Sequence, residues 1–132
     1  MTSKELINKA LEAMSASYSP YSDFKVGAAL LCEDGTVYTG CNIENAAFSP
    51  TCCAERVAIF KAISEGKNKF SAIAVVGGKK GRIDGFCSPC GVCRQVMAEF
   101  CGKDFKIYMF DGKDEKVYSL EDLLPESFLL SF

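Results

Sequence analysis

The sequence predicts an α/β protein: a three-layer α/β/α sandwich around a mixed sheet of about five strands, forming one domain over residues 1–132. Three observations carry that expectation. A helical pattern and then a hairpin pattern open the chain. Short apolar segments at 72–76 and 106–110 flank a further helical pattern. And 132 residues with 48% hydrophobic and 24% charged side chains, free of repeats, linkers or low-complexity stretches, suit a single packed core.

Taken in order, Thr2-Ser3-Lys4-Glu5 is a capping-box pattern, in which side chain and backbone at the helix start satisfy each other's donors. Leu6, Ile7, Ala10, Leu11 and Met14 follow at helical spacing, and Pro20 closes the loop after that helix. Phe24–Cys32 and Thr36–Ile43 read as strands joined by a Glu33-Asp34-Gly35 turn. A mostly apolar helix is expected from about Thr51 to Ser64, ending near Gly66. Ala72–Val76 reads as a buried strand. Ser88-Pro89 opens a helix, with Ser as N-cap and Pro at the first helical position. Lys106–Phe110 is again a strand, and strand–helix–strand implies a parallel crossover. Lys116–Leu120 is the fifth strand. Gly77-Gly78-Lys79-Lys80-Gly81 lacks phosphate-loop spacing and reads as a flexible basic turn.

Composition narrows the function. Lys and Arg total 15 against 17 Asp and Glu, a net charge of −2, which argues against a dedicated nucleic-acid binder. No apolar run approaches the roughly 20 residues of a membrane span. The opening Met-Thr-Ser-Lys-Glu-Leu reads as helix rather than signal peptide, so a soluble, cytoplasmic protein is expected. Eight cysteines in such a chain point to metal ligation or thiol chemistry rather than to disulfides. The sequence has no His, which excludes Ser-His and Cys-His mechanisms and any His-containing metal site.

Two segments concentrate the chemistry: Thr51-Cys52-Cys53-Ala54-Glu55-Arg56 and Ser88-Pro89-Cys90-Gly91-Val92-Cys93-Arg94-Gln95. Each places cysteines in the first turn of a predicted helix, where unpaired N–H groups and the helix dipole favour thiolate. Cys90 and Cys93, three apart, share a helix face and can chelate one ion. A third thiolate from the other segment leaves one tetrahedral position open for water, the arrangement of a catalytic zinc. Spacing alone leaves Cys52 and Cys53 both eligible. Glu55 is an acid with no structural reason to sit in a mostly apolar helix, and a carboxylate beside such a water is placed to move protons.

Cys53-Ala54-Glu55, then 33 residues, then Pro89-Cys90-Gly91-Val92-Cys93 resembles the three-cysteine form of the zinc-deaminase signature. The resemblance extends over nearly the whole chain to the homotetrameric, zinc-dependent cytidine deaminases of nucleoside salvage, in the cytidine and deoxycytidylate deaminase family. Ser19–Leu30 resembles that family's first strand and its approach loop. Asn42-Ile43-Glu44-Asn45-Ala46 resembles its ribose-binding segment, and Leu123–Phe128 its C-terminal motif. The resemblance implies one Zn²⁺ per chain held by Cys53, Cys90 and Cys93. It implies substrate contacts from Phe24, which packs on the nucleoside, from Asn42 and Glu44 at the sugar hydroxyls, from Ala54, and from Phe128, which closes a neighbouring subunit's site. Arg56 and Gln95 match residues that hydrogen-bond the thiolate sulfurs. Three thiolates and a hydroxide outweigh Zn²⁺ by two negative charges, so an adjacent cation and two helix N-termini help keep the bound water acidic.

The implied reaction is hydrolytic deamination of cytidine and deoxycytidine to uridine and deoxyuridine, with release of ammonia. Glu55 takes a proton from the zinc-bound water and delivers it to N3, hydroxide attacks C4, and Glu55 helps protonate the departing ammonia. Phe48 stands where relatives often carry Tyr, and the tail from Leu129 to Phe132 is short. Phe128, Leu129, Leu130 and Phe132 form an apolar end suited to burial against a partner.

Other readings fit less of the pattern. A closed four-cysteine zinc using Cys87 leaves Glu55 without a task. A ferredoxin-type run needs a fourth Cys three residues on, whereas the next is Cys101. A redox pair at Cys90 and Cys93 leaves Cys53 and Glu55 unexplained. A deaminase of a cytosine-nucleoside analogue, such as the blasticidin S type, shares the zinc motif, and the Asn42–Ala46 and Leu124–Phe128 segments favour the salvage enzyme over it. A nucleic-acid-editing deaminase is disfavoured by the acidic balance and the lack of His. Cys32, Cys41 and Cys101 read as small buried hydrophobes.

Overall fold

The computed structural model describes residues 1–130; Phe132, counted above in the apolar end, lies outside them. Helix α1 spans Ser3–Met14. Its capping box forms as the sequence predicts: Glu5 N–H donates to Thr2 Oγ1 at 3.1 Å, and Thr2 N–H donates to Glu5 Oε1 at 3.0 Å. Strands β1 (Phe24–Cys32), β2 (Val37–Cys41), β3 (Phe70–Lys79), β4 (Lys106–Phe110) and β5 (Glu115–Ser119) form one sheet in the order β2-β1-β3-β4-β5. Its neighbours are antiparallel except β3 and β4, which run parallel. Between those two lies α3 (Gly91–Phe100), the crossover that parallel pairing requires. Helix α2 (Ala54–Ser64) follows β2, and a four-residue α4 (Leu120–Leu123) follows β5.

Alternation along the strands sorts their side chains into two buried layers. On one face Ala29, Ala72, Ala74 and Val76 meet Leu6, Ile7 and Ala10 of α1. On the other, Ala28, Leu30, Ile73, Val75 and Ile107 meet Ala58, Ile59 and Ala62 of α2 and Cys93 and Met97 of α3. This is the three-layer α/β/α sandwich with a five-stranded mixed sheet. The α2 contact is close. A Cβ at Gly40 of β2 would lie 2.4 Å from Ala54 O and 2.7 Å from Ala58 N, both backbone atoms. Only glycine lets the helix settle at that distance, and so Gly40 sets the height of the helix that carries Cys53 and Glu55. Among the described residues no helix is long and apolar enough to cross a membrane.

Five local expectations change. Helix α2 starts at Ala54 rather than Thr51, because Cys52 exchanges two backbone hydrogen bonds with Ile43, both 2.9 Å. Helix α3 takes Cys90 as N-cap rather than Ser88, and Pro89 lies before the cap. Strand β2 is shorter at both ends. Thr36 N–H is drawn into the turn by Asp34 Oδ1 at 3.0 Å, and beyond Cys41 the Asn42 side chain replaces strand pairing. Strand β5 runs from Glu115 and stops at Ser119, whose hydroxyl caps the unanticipated α4 by accepting from Asp122 N–H at 3.1 Å. The expected basic turn at Gly77–Gly81 is in its first half the end of β3. A Cβ at Gly78 would lie 1.7 Å from Arg82 O, so the glycine is there for a close backbone approach and not for flexibility.

Candidate active site

Two helix N-termini, on α2 and α3, face each other across a cluster of sulfurs. Cys53 is the N-cap of α2 and its side chain makes no capping bond, so its sulfur is not committed to the N–H groups of its own helix. Cys90 is the N-cap of α3, and its Sγ accepts the Cys93 N–H at 3.5 Å. Sulfur here does what serine or aspartate does at ordinary helix starts. The Sγ atoms of Cys53, Cys90 and Cys93 all lie within 4.8 Å of one another, with Cys53 and Cys90 3.7 Å apart. Zn–S bonds of about 2.3 Å at a tetrahedral ion hold neighbouring sulfurs about 3.8 Å apart, so the donor set and its spacing fit that ion. Among the described residues, Cys52 and Cys87 lie outside this group; the sulfurs gathered are those of Cys53, Cys90 and Cys93.

The cluster is electrostatically prepared. The Cys53 thiol is pulled down to about 5 by a hydrogen bond from Cys93, and then by the Arg56 guanidinium and Cys90. Arg56 Nη2 donates to Cys53 Sγ at 3.4 Å. Burial works against the Arg56 charge, but hydrogen bonds to the Cys53 and Cys93 sulfurs hold it on. The Cys93 thiol is displaced upward as donor to Cys53 and by burial. Arg56 Nε is buried with no hydrogen-bond partner among the described residues. Glu55, in the first turn of α2, is only 3% exposed; burial raises its carboxyl to about 7, and the Cys53 charge pushes the same way. Behind it, burial lifts the Cys87 thiol to about 12, with the Glu55 carboxylate adding to the effect.

The second group of expected site residues is tied to the first by backbone. The Ile43–Cys52 bridge lays Asn42-Ile43-Glu44 alongside the approach to α2. Glu44 accepts from Tyr21 N–H at 3.0 Å, Ser22 N–H at 3.1 Å and the Ser22 hydroxyl, which hold its carboxyl below the usual range, the Ser22 hydroxyl most of all. It lines a cavity of about 340 Å³ with Tyr21, Ser22, Phe48 and Thr51. Phe48 adopts φ +62° and meets the Tyr21 ring edge-on at 6.2 Å, an unusual backbone state for an aromatic residue at a cavity wall.

Asn42 is largely committed to the protein. Its Nδ2 donates to Phe24 O at 2.8 Å, and its Oδ1 accepts from Val26 N–H at 2.9 Å and from the Ser17 hydroxyl. These bonds fill both oxygen lone pairs and use one of two amide hydrogens. Ala54 is fully buried at the first turn of α2. Phe24 opens β1 and is 38% exposed, and Phe128 is 67% exposed. Gln95, expected at the sulfurs, instead donates its Nε2 to Phe128 O at 2.8 Å. The cysteine-rich segment also contains a residue the sequence reading passed over. Arg94 donates to Pro89 O, Leu123 O and Ser88 Oγ, each at 2.7 Å, clamping the loop into Cys90 and joining it to α4. Its signal was its place directly after Cys93, masked because Arg56 accounted for the charge.

Residues 1–109 match the family model described as cytidine and deoxycytidylate deaminase zinc-binding region. The chain belongs to the cytidine and deoxycytidylate deaminase family. Membership makes it an enzyme of the cytidine deaminase type, a hydrolase by class. It is 50% identical over 129 residues to the cytidine deaminase of Sporosarcina psychrophila, covering 97% of this chain and 92% of that one. It is 48% identical to that of Halalkalibacterium halodurans, covering 97% and 95%. Its fold is similar to the crystal structure of cytidine deaminase from Burkholderia pseudomallei, with TM-score 0.90, 45% identity, and 97% and 100% of the two chains covered.

Proposed function

We propose that this chain hydrolytically deaminates cytidine and deoxycytidine to uridine and deoxyuridine, releasing ammonia, as a step of pyrimidine salvage. One observation carries the reading: three cysteine sulfurs gathered at two helix N-termini, with the buried Glu55 on the same helix turn as one of them. The residues fit one zinc ion per chain, held by Cys53, Cys90 and Cys93. When bound, the ion supplies a Lewis acid that makes water nucleophilic near neutral pH.

The chain's own residues do the rest. Glu55, with its carboxyl near neutrality, moves two protons in turn: its carboxylate takes the first from the attacking water and gives it to the pyrimidine N3, then takes the second from the hydroxyl now on C4 and gives it to the departing amine, which leaves as ammonia. Burial keeps bulk water from competing for that proton. The Arg56 cation, hydrogen-bonded to Cys53, offsets the charge of three thiolates. Glu44, ionised and oriented by Ser22 and Tyr21, accepts from the sugar hydroxyls, and the remaining Asn42 amide hydrogen donates to them. Phe24 packs on the nucleoside beside Ala54. Phe128, exposed in the single chain and held at its carbonyl by Gln95, closes the site of a neighbouring subunit in a homotetramer. Eight free thiols suit a reducing cytoplasm.

Loss of the cytosine chromophore tests this directly, with cytidine, deoxycytidine, CMP and free cytosine run in parallel. Conversion of the two nucleosides but not of free cytosine is expected, since cytosine offers Glu44 and Asn42 nothing to bind. A zinc-loaded protein inert towards both nucleosides would refute the assignment. Sedimentation should give a tetramer at micromolar concentration, and a monomer there would contradict the role of Phe128.

A further inference from the structure

Two glycines, Gly77 and Gly78, stand near the end of β3, and Gly78 is there for a close backbone approach. Gly77 differs from it. It sits opposite Val26 in the β1–β3 register, and its φ lies outside the left-handed region, so the backbone makes no demand for glycine. Space does. A Cβ there would lie 3.0 Å from Cys87 Sγ, 3.0 Å from Phe24 Cε1 and 3.1 Å from Val26 Cγ2. Carbon contacts are comfortable at about 3.5–4.0 Å, so a methyl would displace all three neighbours by tenths of an ångström. At Gly78 the obstacle is the backbone of Arg82, which has no room to yield; at Gly77 every obstacle is a side chain. Of those side chains, Phe24 is the one proposed to pack on the nucleoside, and Cys87 lies in the loop three residues before Cys90.

The geometry points to Gly77 as a positioning residue for substrate binding: its missing side chain lets the Phe24 ring and the Cys87 thiol close onto β3 as one wall of the pyrimidine pocket. The inference rests on the reading of Phe24 as the residue packed on the nucleoside. Through Phe24, Gly77 influences how well the base is held and leaves the reacting groups on α2 and α3 where they are. Such a residue alters binding in ground and transition states alike, and so moves KM and not kcat.

The test compares wild type, Gly77→Ala, Phe24→Ala and the double variant in KM and kcat for cytidine, with zinc content and melting temperature measured for each. Gly77→Ala is expected to raise KM about three- to tenfold, the range of a lost aromatic contact, with kcat within about twofold. In the Phe24→Ala background the same substitution should leave KM unmoved, because the group it acts through is gone. Should Gly77→Ala fail to fold, the comparison is made in a Cys87→Ala background, which removes the sulfur and leaves Phe24 Cε1 and Val26 Cγ2 as the methyl's obstacles, so the same rise in KM is expected there. An unchanged KM, a fall in kcat alone, or an equal rise with and without Phe24 would overturn the inference while leaving the deaminase reading intact. A wild-type chain that does not turn over cytidine would overturn both.

Discussion

Glu55→Gln is expected to abolish deamination while leaving the metal in place. The substitution keeps the size and hydrogen-bonding reach of the side chain and removes only its ability to exchange a proton. Glu55 is buried, and its oxygens are not among the ligand atoms that gather around the three sulfurs, so the thiolate cluster survives the change. General acid–base catalysis contributes about 10²–10⁴ in rate. Because Glu55 serves both to take a proton and to return it, the loss should reach the upper part of that range. Initial rates from the cytosine chromophore, paired with zinc content per chain, give the answer. Activity within about tenfold of wild type, with zinc retained, would remove Glu55 from the mechanism.

Cys90→Ala should have an equally large effect by another route. Cys90 is exposed, so removing its sulfur creates no core cavity. The change deletes one of three ligands and the sulfur that accepts the Cys93 N–H at the start of α3. Loss of the helix cap costs about 1 kcal/mol, a modest shift in melting temperature. Two remaining thiolates leave too few fixed donors to hold zinc against a chelator, and turnover should fall about a thousandfold or more for want of an activated water. Atomic absorption after dialysis against a chelator, with thermal melting alongside, separates the effects. A variant that retained one zinc per chain and near-normal turnover would show that Cys90 is not a ligand. A large collapse in melting temperature, beyond what a cap contributes, would mean that the sulfur holds the fold together and not only the ion.

The layers of the fold and the gathering of cysteines from two segments were both legible in the sequence, for related reasons. Burial writes itself as periodicity, as in Leu6, Ile7 and Ala10 of α1 and the apolar run Ala72–Val76, and chelation writes itself as short cysteine spacing. What was misread lay where tertiary contact overrides local preference. The start of α2 is expected near Thr51 and that of α3 at Ser88 as an ordinary cap, yet cysteines occupy both N-cap positions. Functional sites are where local rules give way. Gly77 and Gly78 look like a loop to any local rule, because the neighbours that require them, Phe24, Cys87 and Arg82, are distant in the chain or come later. Gln95 and Asn42 have polar side chains whose partners, Phe128 O and Phe24 O, exist only once the chain is folded.

The order of the strands also bears on when the site comes into being. The sheet's centre joins β1 to β3, pairing Phe24 with Lys79, and the third and fourth strands meet only after α3 has crossed between them. Contacts so far apart in the chain form slowly, since a long loop loses its freedom before any apolar surface is buried in return. Cys53 enters from one side of that closure and Cys90 and Cys93 from the other. Their sulfurs meet across that separation, Cys53 and Cys90 3.7 Å apart, with the Arg56 guanidinium hydrogen-bonded to Cys53. Two buried layers hold the helices that carry these sulfurs, so stripping metal with a chelator is expected to leave the fold standing, in contrast to small zinc modules in which ligation and folding are a single event.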